Sequence, residues 1–270
     1  MNDRIGERFI TNEGYEVVIV EYNNYNDLWI EFQDEYKTRK HTDCRNCQRG
    51  TIKNPYHHNK FGGYLGIIEE EVKDKLGNNY KKCYNYWMKL LERLNVEKVL
   101  EKHPTYKNCC GNEEIYNFSN FAKWFVDNYY EIEGEIMCVD KDILVKGNKE
   151  YRFDRMVFVP NRINVLFTKS DAVRGDLPIG VYYKKANNKF CCQCSILTDK
   201  GKKPKYLGLY NTPEEAFLVY KEFKEAYIKE VADEYKNRIP KCLYDAMYNW
   251  EVDINDWFKN YNFSRKVGKW

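Results

Sequence analysis

The chain lacks a long apolar run. No stretch of its 270 residues approaches the roughly 18 consecutive apolar residues that a membrane span needs. Met1 leads into Asn-Asp-Arg-Ile-Gly-Glu-Arg-Phe, not into a basic and then apolar leader. A cytoplasmic protein with no membrane partner is expected. An excess of one charge is missing as well. The 44 Lys and Arg are interleaved with 41 Asp and Glu, for a net charge of +3. That balance excludes a global field drawing the whole chain onto nucleic acid, so any such surface must be a local patch. Paired metal-ligand spacings are also lacking. His41, Cys44 and Cys47 give one C-x-x-C with a nearby His, but no second pair completes the four ligands of structural zinc. Cys109 and Cys110 are adjacent, and Cys83 stands alone. Without a leader, the ten cysteines are expected to be reduced thiols and not a disulfide framework.

What is present is globular. Hydrophobic residues make up 43% and aromatics 16%, too many for a disordered chain, and the length suits two or three small domains. Residues 1–55 alternate as strands: Tyr-Glu-Val-Val-Ile-Val-Glu-Tyr, then Leu28, Ile30 and Phe32 against polar partners, then a third run to His41. Asn12-Glu13-Gly14 and Asn23-Asn24 separate the runs, so a small barrel-like β domain is expected. Residues 56–78, rich in Gly, Asn and aromatics, read as a loop or linker. Residues 79–170 mix helix and strand. Trp87, Leu90, Leu91 and Leu94 share one helical stripe, and Phe118, Phe121, Ala122 and Phe125 another. A strand ending at Asp140, an excursion through Gly147-Asn148 and a short helix after Pro160 complete that segment. Residues 237–270 form an extension in which Trp250, Trp257 and Phe258 stand among acids. They suit either a partner-binding or oligomerising surface or packing onto the body.

Residues 176–236 carry the clearest pattern. Three runs predict strands: Ile-Gly-Val-Tyr-Tyr, Lys-Phe-Cys-Cys-Gln-Cys-Ser-Ile-Leu and Lys-Tyr-Leu-Gly-Leu-Tyr. Alternation places Val181, Tyr183, Phe190, Cys192, Cys194, Leu207 and Leu209 on one face. Tyr182, Lys184, Cys191, Gln193, Ser195 and Tyr206 fall on the other. A capping box follows, with Thr212 as N-cap, Pro213 at the first helical position and Glu215 reaching back. Ala216, Phe217, Tyr220, Phe223 and Tyr227 then form a stripe that covers one sheet face. The other stays open, and strands can read base edges in the major groove.

This stretch resembles an AP2/ERF-type DNA-binding domain. The family's Leu-Gly-x-Phe-x-Thr-x-Glu-Glu-Ala junction is matched at Leu207, Gly208, Tyr210, Thr212, Glu214, Glu215 and Ala216. The resemblance implies double-stranded DNA as partner, with contacts from Tyr182, Lys184, Gln193, Ser195 and Tyr206. Arg of the family pattern is replaced by Tyr at 182, Lys at 184 and Ser at 195, which thins bidentate base readout.

Residues 87–167 resemble phage proteins that join an HNH nuclease to such a module, at Tyr-Trp-Met-Lys-Leu-Leu-Glu-Arg, Val-Asp-Lys-Asp-Ile-Leu-Val-Lys-Gly-Asn-Lys-Glu-Tyr and Val-Pro-Asn-Arg-Ile-Asn-Val-Leu-Phe. An HNH site takes a His base at the end of its first strand. Here Lys141 stands in that place, and all four histidines, including His57, His58 and His103, lie outside the motif. The resemblance implies Asp140, Asp142 and Asn164 as catalytic candidates, with Asn148 beside them and Mg²⁺ held by Asp140 and Asp142. The expected fold is an α+β mosaic: an N-terminal β domain, a central HNH-like domain and an AP2-like sheet-and-helix module. The expected function is a phage-type DNA-binding protein related to homing endonucleases, its nuclease weak or lost. A second reading has the same scaffold, acting as a homo-oligomer, bind and inhibit a host defence protein complex.

Overall fold

The computed structural model describes residues 4–102, 106, 108–168, 177–198 and 201–253. The chain is an α+β mosaic of several small sheets with helices, divided into two compact units. One comprises Met1–Tyr129 with Lys149–Asp154, the other Tyr130–Asn148 with Arg155–Trp270. The division therefore falls inside the expected 79–170 segment. Among the described residues no helix is long and apolar enough to cross a membrane.

In the first unit β1 (Arg8–Ile10), β2 (Glu16–Asn24), β3 (Asp27–Phe32) and β4 (Arg39–Thr42) form an antiparallel meander in sequence order. Val17 faces Phe32 and Ile19 faces Ile30 across the ladder, so alternate residues bury together. Helix α1 (Cys44–Arg49) closes that face. Asp43 caps it by accepting the Asn46 amide at 2.7 Å, and Gly50 ends it in a left-handed turn at φ 64°. Cys44 and Cys47 are thus core fillers packed with Leu28 and Ile52, and burial pushes the Cys47 thiol up to about 11. The 56–78 segment is not wholly loop. Its end forms α2 (Glu70–Leu76), a short helix that buries Val72 and Leu76 four residues apart. Helices α3 (Tyr80–Asn95) and α5 (Phe118–Asn128), with α4 (Glu97–Lys102) between them, bury the two stripes read from the sequence, save Leu94, which is half-buried. The Trp87 indole donates to the Ile115 carbonyl at 2.8 Å. A two-residue parallel pair, β5 (Cys110–Gly111) with β7 (Glu150–Tyr151), ties the late insertion into this unit.

The second unit contains an antiparallel pair, β6 (Met137–Asp140) and β8 (Val157–Pro160), and the short helix α6 (Asn161–Asn164) after Pro160. Its larger sheet has the order β11–β10–β9, from β9 (Val181–Lys184), β10 (Lys189–Thr198) and β11 (Gly201–Tyr210). Helix α7 (Pro213–Tyr235) starts at the full capping box on Thr212. Its first half packs Ala216, Phe217 and Tyr220 onto Val181, Cys192 and Cys194 of the sheet. Its second half packs Ile228, Val231, Ala232 and Tyr235 onto Val157, Val159 and Ile163. A helix of 23 residues is about 35 Å long, enough to serve two cores in series. Helix α8 (Lys241–Tyr248) joins the second core through Leu243 and Met247, and Trp250 packs edge-on to Phe167 at 4.5 Å. This part of the 237–270 extension is therefore packed onto the body, while Trp257 and Phe258 lie outside the described residues.

Candidate nucleic-acid interface

The three-stranded sheet is built from antiparallel ladders, so residues directly opposite share a face. Tyr182 faces Cys191, which faces Leu209; Lys184 faces Lys189; Gln193 faces Tyr206; Ser195 faces Pro204. All five DNA-contact candidates, Tyr182, Lys184, Gln193, Ser195 and Tyr206, therefore stand on the face opposite α7. Tyr206 is 59% exposed and Tyr182 42%, and Lys184, Lys189 and Ser195 are exposed. Cys191 is fully buried at the centre of this face. Its hydrogen bond with the Tyr182 hydroxyl, together with burial of that ring, raises the Tyr182 pKa.

Two expectations about the sheet change. The register slips between Cys192, which faces Gly208, and Gln193, which faces Tyr206. Leu207 is thus the extra residue of a β-bulge. Gly208 takes φ +139°, a backbone state that a side chain disfavours. Beyond the bulge the alternation inverts. Tyr210 packs toward α7, while Leu209 lies opposite Cys191 on the outer face. Strand β11 also begins at Gly201, not at Lys205, because Lys202 and Lys203 pair with Leu197 and Ile196. Pro204 is tolerated because β11 is an edge strand. The Gly-Lys-Lys-Pro-Lys run is accordingly a cationic strand in place of a turn.

The carboxylates lie elsewhere in this unit. Asp140 ends β6, and its Oδ1 accepts the amides of Asp142 and Ile143, both at 2.8 Å. Burial first, and the Asp142 charge second, push the Asp140 carboxyl up to about 6 against the pull of those amides. Lys141 is buried, with its Nζ 3.4 Å from Asp142 Oδ2 and its carbonyl accepting Asn148 Nδ2 at 2.7 Å. Arg155 donates to Asn148 Oδ1 at 3.3 Å. Asn148 is therefore a structural bracket for this turn. Asn164 is in α6, and no hydrogen bond joins it to Asp140 or Asp142 among the described residues; its carbonyl accepts the Thr168 hydroxyl. Nor do three His, Cys, Asp or Glu side chains gather as a metal-binding group among the described residues. Two carboxylates with water can suffice for Mg²⁺. Here, however, one oxygen of Asp140 is held by two amides and Asp142 is paired with Lys141. The donor set fits a capped turn better than a metal centre.

No family model, curated protein or solved structure matches this chain. The geometry of the sheet and of the Asp140 turn is therefore what bears on function.

Sequence reading missed three cations of this sheet, Lys189, Lys202 and Lys203. Lys189 is legible as the partner of Lys184 once the Asn187-Asn188 turn fixes the register. Lys202 and Lys203 carried no such signal, because Gly and Pro flank them and give the run the composition of a turn.

Proposed function

We propose that this chain binds duplex DNA through the outer face of β9–β11, as a phage-type relative of the HNH/AP2 homing endonucleases in which binding has outlasted cleavage. The observation that carries it is the asymmetry of the sheet. One face is sealed by α7, and the other presents two tyrosine rings, a Gln, a Ser and a lysine pair to solvent. A sheet of this width enters the major groove, where Gln193 can address adenine bidentately and Lys184 and Lys189 meet phosphates. Cleavage is set aside because Lys141 is buried against Asp142 where a base would stand, and Asp140 is held as a turn cap.

Fluorescence anisotropy with a short duplex, at about 50 and about 200 mM salt, tests this. Phosphate contacts from Lys184, Lys189, Lys202 and Lys203 alone give a loss of at least roughly 150-fold in affinity between those salts. Lys184→Ala should lower the slope of log K against log salt by about 1. The same tubes with Mg²⁺ should show no nicking; nicking lost in Asp140→Ala would restore the nuclease half. Absence of binding at low salt would sink the DNA reading and leave a host protein complex as the partner to test.

A further inference from the structure

Lys224 has no ordinary explanation. It sits on α7, is only 9% exposed, and makes no hydrogen bond or ion pair among the described residues. One turn earlier on the same helix, Lys221 is satisfied by Glu225 at 2.5 Å and by the Val252 carbonyl. The stem is buried while the ammonium reaches the surface with no counter-charge beside it among the described residues, an arrangement open to an incoming anion.

Its neighbours are also cations. Lys205 Nζ lies 4.6 Å from the Phe223 ring, the residue next to Lys224 in the helix. Lys205 is opposite Cys194, and Lys202 is opposite Leu197, whose amide donates to the Tyr227 hydroxyl at 2.7 Å. Lys202, Lys205 and Lys224 therefore converge where the edge strand β11 passes over α7. The groups acting on the Lys224 ammonium are its own burial, the Cys194 thiol and Lys202, with no carboxylate among them. Burial lowers its pKa, Lys202 adds to that, and the Cys194 thiol is itself pushed up by burial and so stays neutral. The Lys224 ammonium is not sealed in: the buried side-chain polar atom left without a partner among the described residues is Asn112 Oδ1.

We propose that Lys224, Lys202 and Lys205 form a binding site for the oxygens of a phosphate group, at the sheet edge between β11 and α7. Three amines with no counter-charge among the described residues are complementary to an anion of more than one negative charge, and phosphate supplies several acceptors for them. Resting on the DNA reading above, the natural occupant is a backbone phosphate flanking the groove entered by the sheet. A free phosphate or phosphomonoester presents the same chemistry.

Lys224→Met tests this in the full chain, since it removes the charge and keeps the stem packing. Lys202→Gln, at an exposed position, serves as a second variant that cannot fail by unfolding. With duplex DNA, each should lower the salt slope by about 0.9. With inorganic phosphate alone, the wild-type melting temperature should rise with concentration, and the rise should vanish in Lys224→Met. A phosphate response that depends on Lys224 without DNA binding would uphold the site, assign it to a free phosphate and reject the DNA reading. DNA binding with an unchanged slope in both variants, or no phosphate response and no DNA effect, would overturn the site.

Discussion

Gly180→Ala should destabilise the second unit through one named contact. Gly180 precedes β9 at φ +78°, and a Cβ there would lie 2.1 Å from the Tyr220 ring. Tyr220 is 6% exposed, wedged among Val181, Cys192 and Phe217, so it has little room to retreat. The left-handed backbone costs a residue with a side chain roughly 1–2 kcal/mol. Overpacking a closed core adds roughly 1–3 kcal/mol. Loss of unfolded-chain freedom returns about 0.4–1 kcal/mol. The net destabilisation is about 1–5 kcal/mol, read from urea unfolding followed by far-ultraviolet circular dichroism. Introducing the change on a Tyr220→Leu background removes the ring, so the penalty there should shrink toward the backbone term alone. Gly180 also matters to the outer face, since its carbonyl accepts the Gln193 amide at 2.8 Å and fixes β9 against β10. A loss below about 1 kcal/mol, or a coupling to Tyr220 below about 0.5 kcal/mol, would refute the close approach.

The Asp140 turn gives a pH signature. Its folded carboxyl, at about 6, holds a proton more tightly than the unfolded group at 3.8. The Asp140 contribution to stability is therefore fully present below about pH 4 and is lost as pH rises to about 6, about 3 kcal/mol at most. Asp140→Asn keeps an oxygen for the two amides and should gain stability relative to wild type as pH rises from about 4 to about 6; unfolding titrations in which the two run parallel through that window would contradict it. Thr212→Ala removes the side-chain oxygen that accepts the Glu215 amide at 3.2 Å and breaks the capping box. The cost should be about 1 kcal/mol in thermal unfolding, and no loss would mean that α7 is started by packing alone.

Strong local signals were legible in the sequence. The Thr212 capping box, the Trp87 and Phe118 stripes and the alternation of Leu28, Ile30 and Phe32 each express one period within one element, and each appears in the fold. What was not legible depends on partners distant in sequence. Helix α2 buries only Val72 and Leu76, too few for a stripe. The bulge at Leu207 cannot be read from β11 itself, because the slip is defined against β10. The second half of α7 finds its core in β8 and α6, more than 60 residues upstream by the numbering, and no local pattern names that partner. At the candidate interface, alternation alone placed Tyr182, Lys184, Gln193, Ser195 and Tyr206 on one face. The burial of Lys224 was hidden, since its helical position reads as one more solvated lysine.

The single helix that serves two cores has a mechanical consequence. Sheet and strand pair hang on the same unbroken rod, so neither can melt without stripping half of α7 of its packing. Amide exchange along the two halves should therefore proceed at one common rate and not at two. A load applied to the sheet, such as a ligand pressing on its outer face, is carried lengthwise through α7 to the turn that holds Asp140.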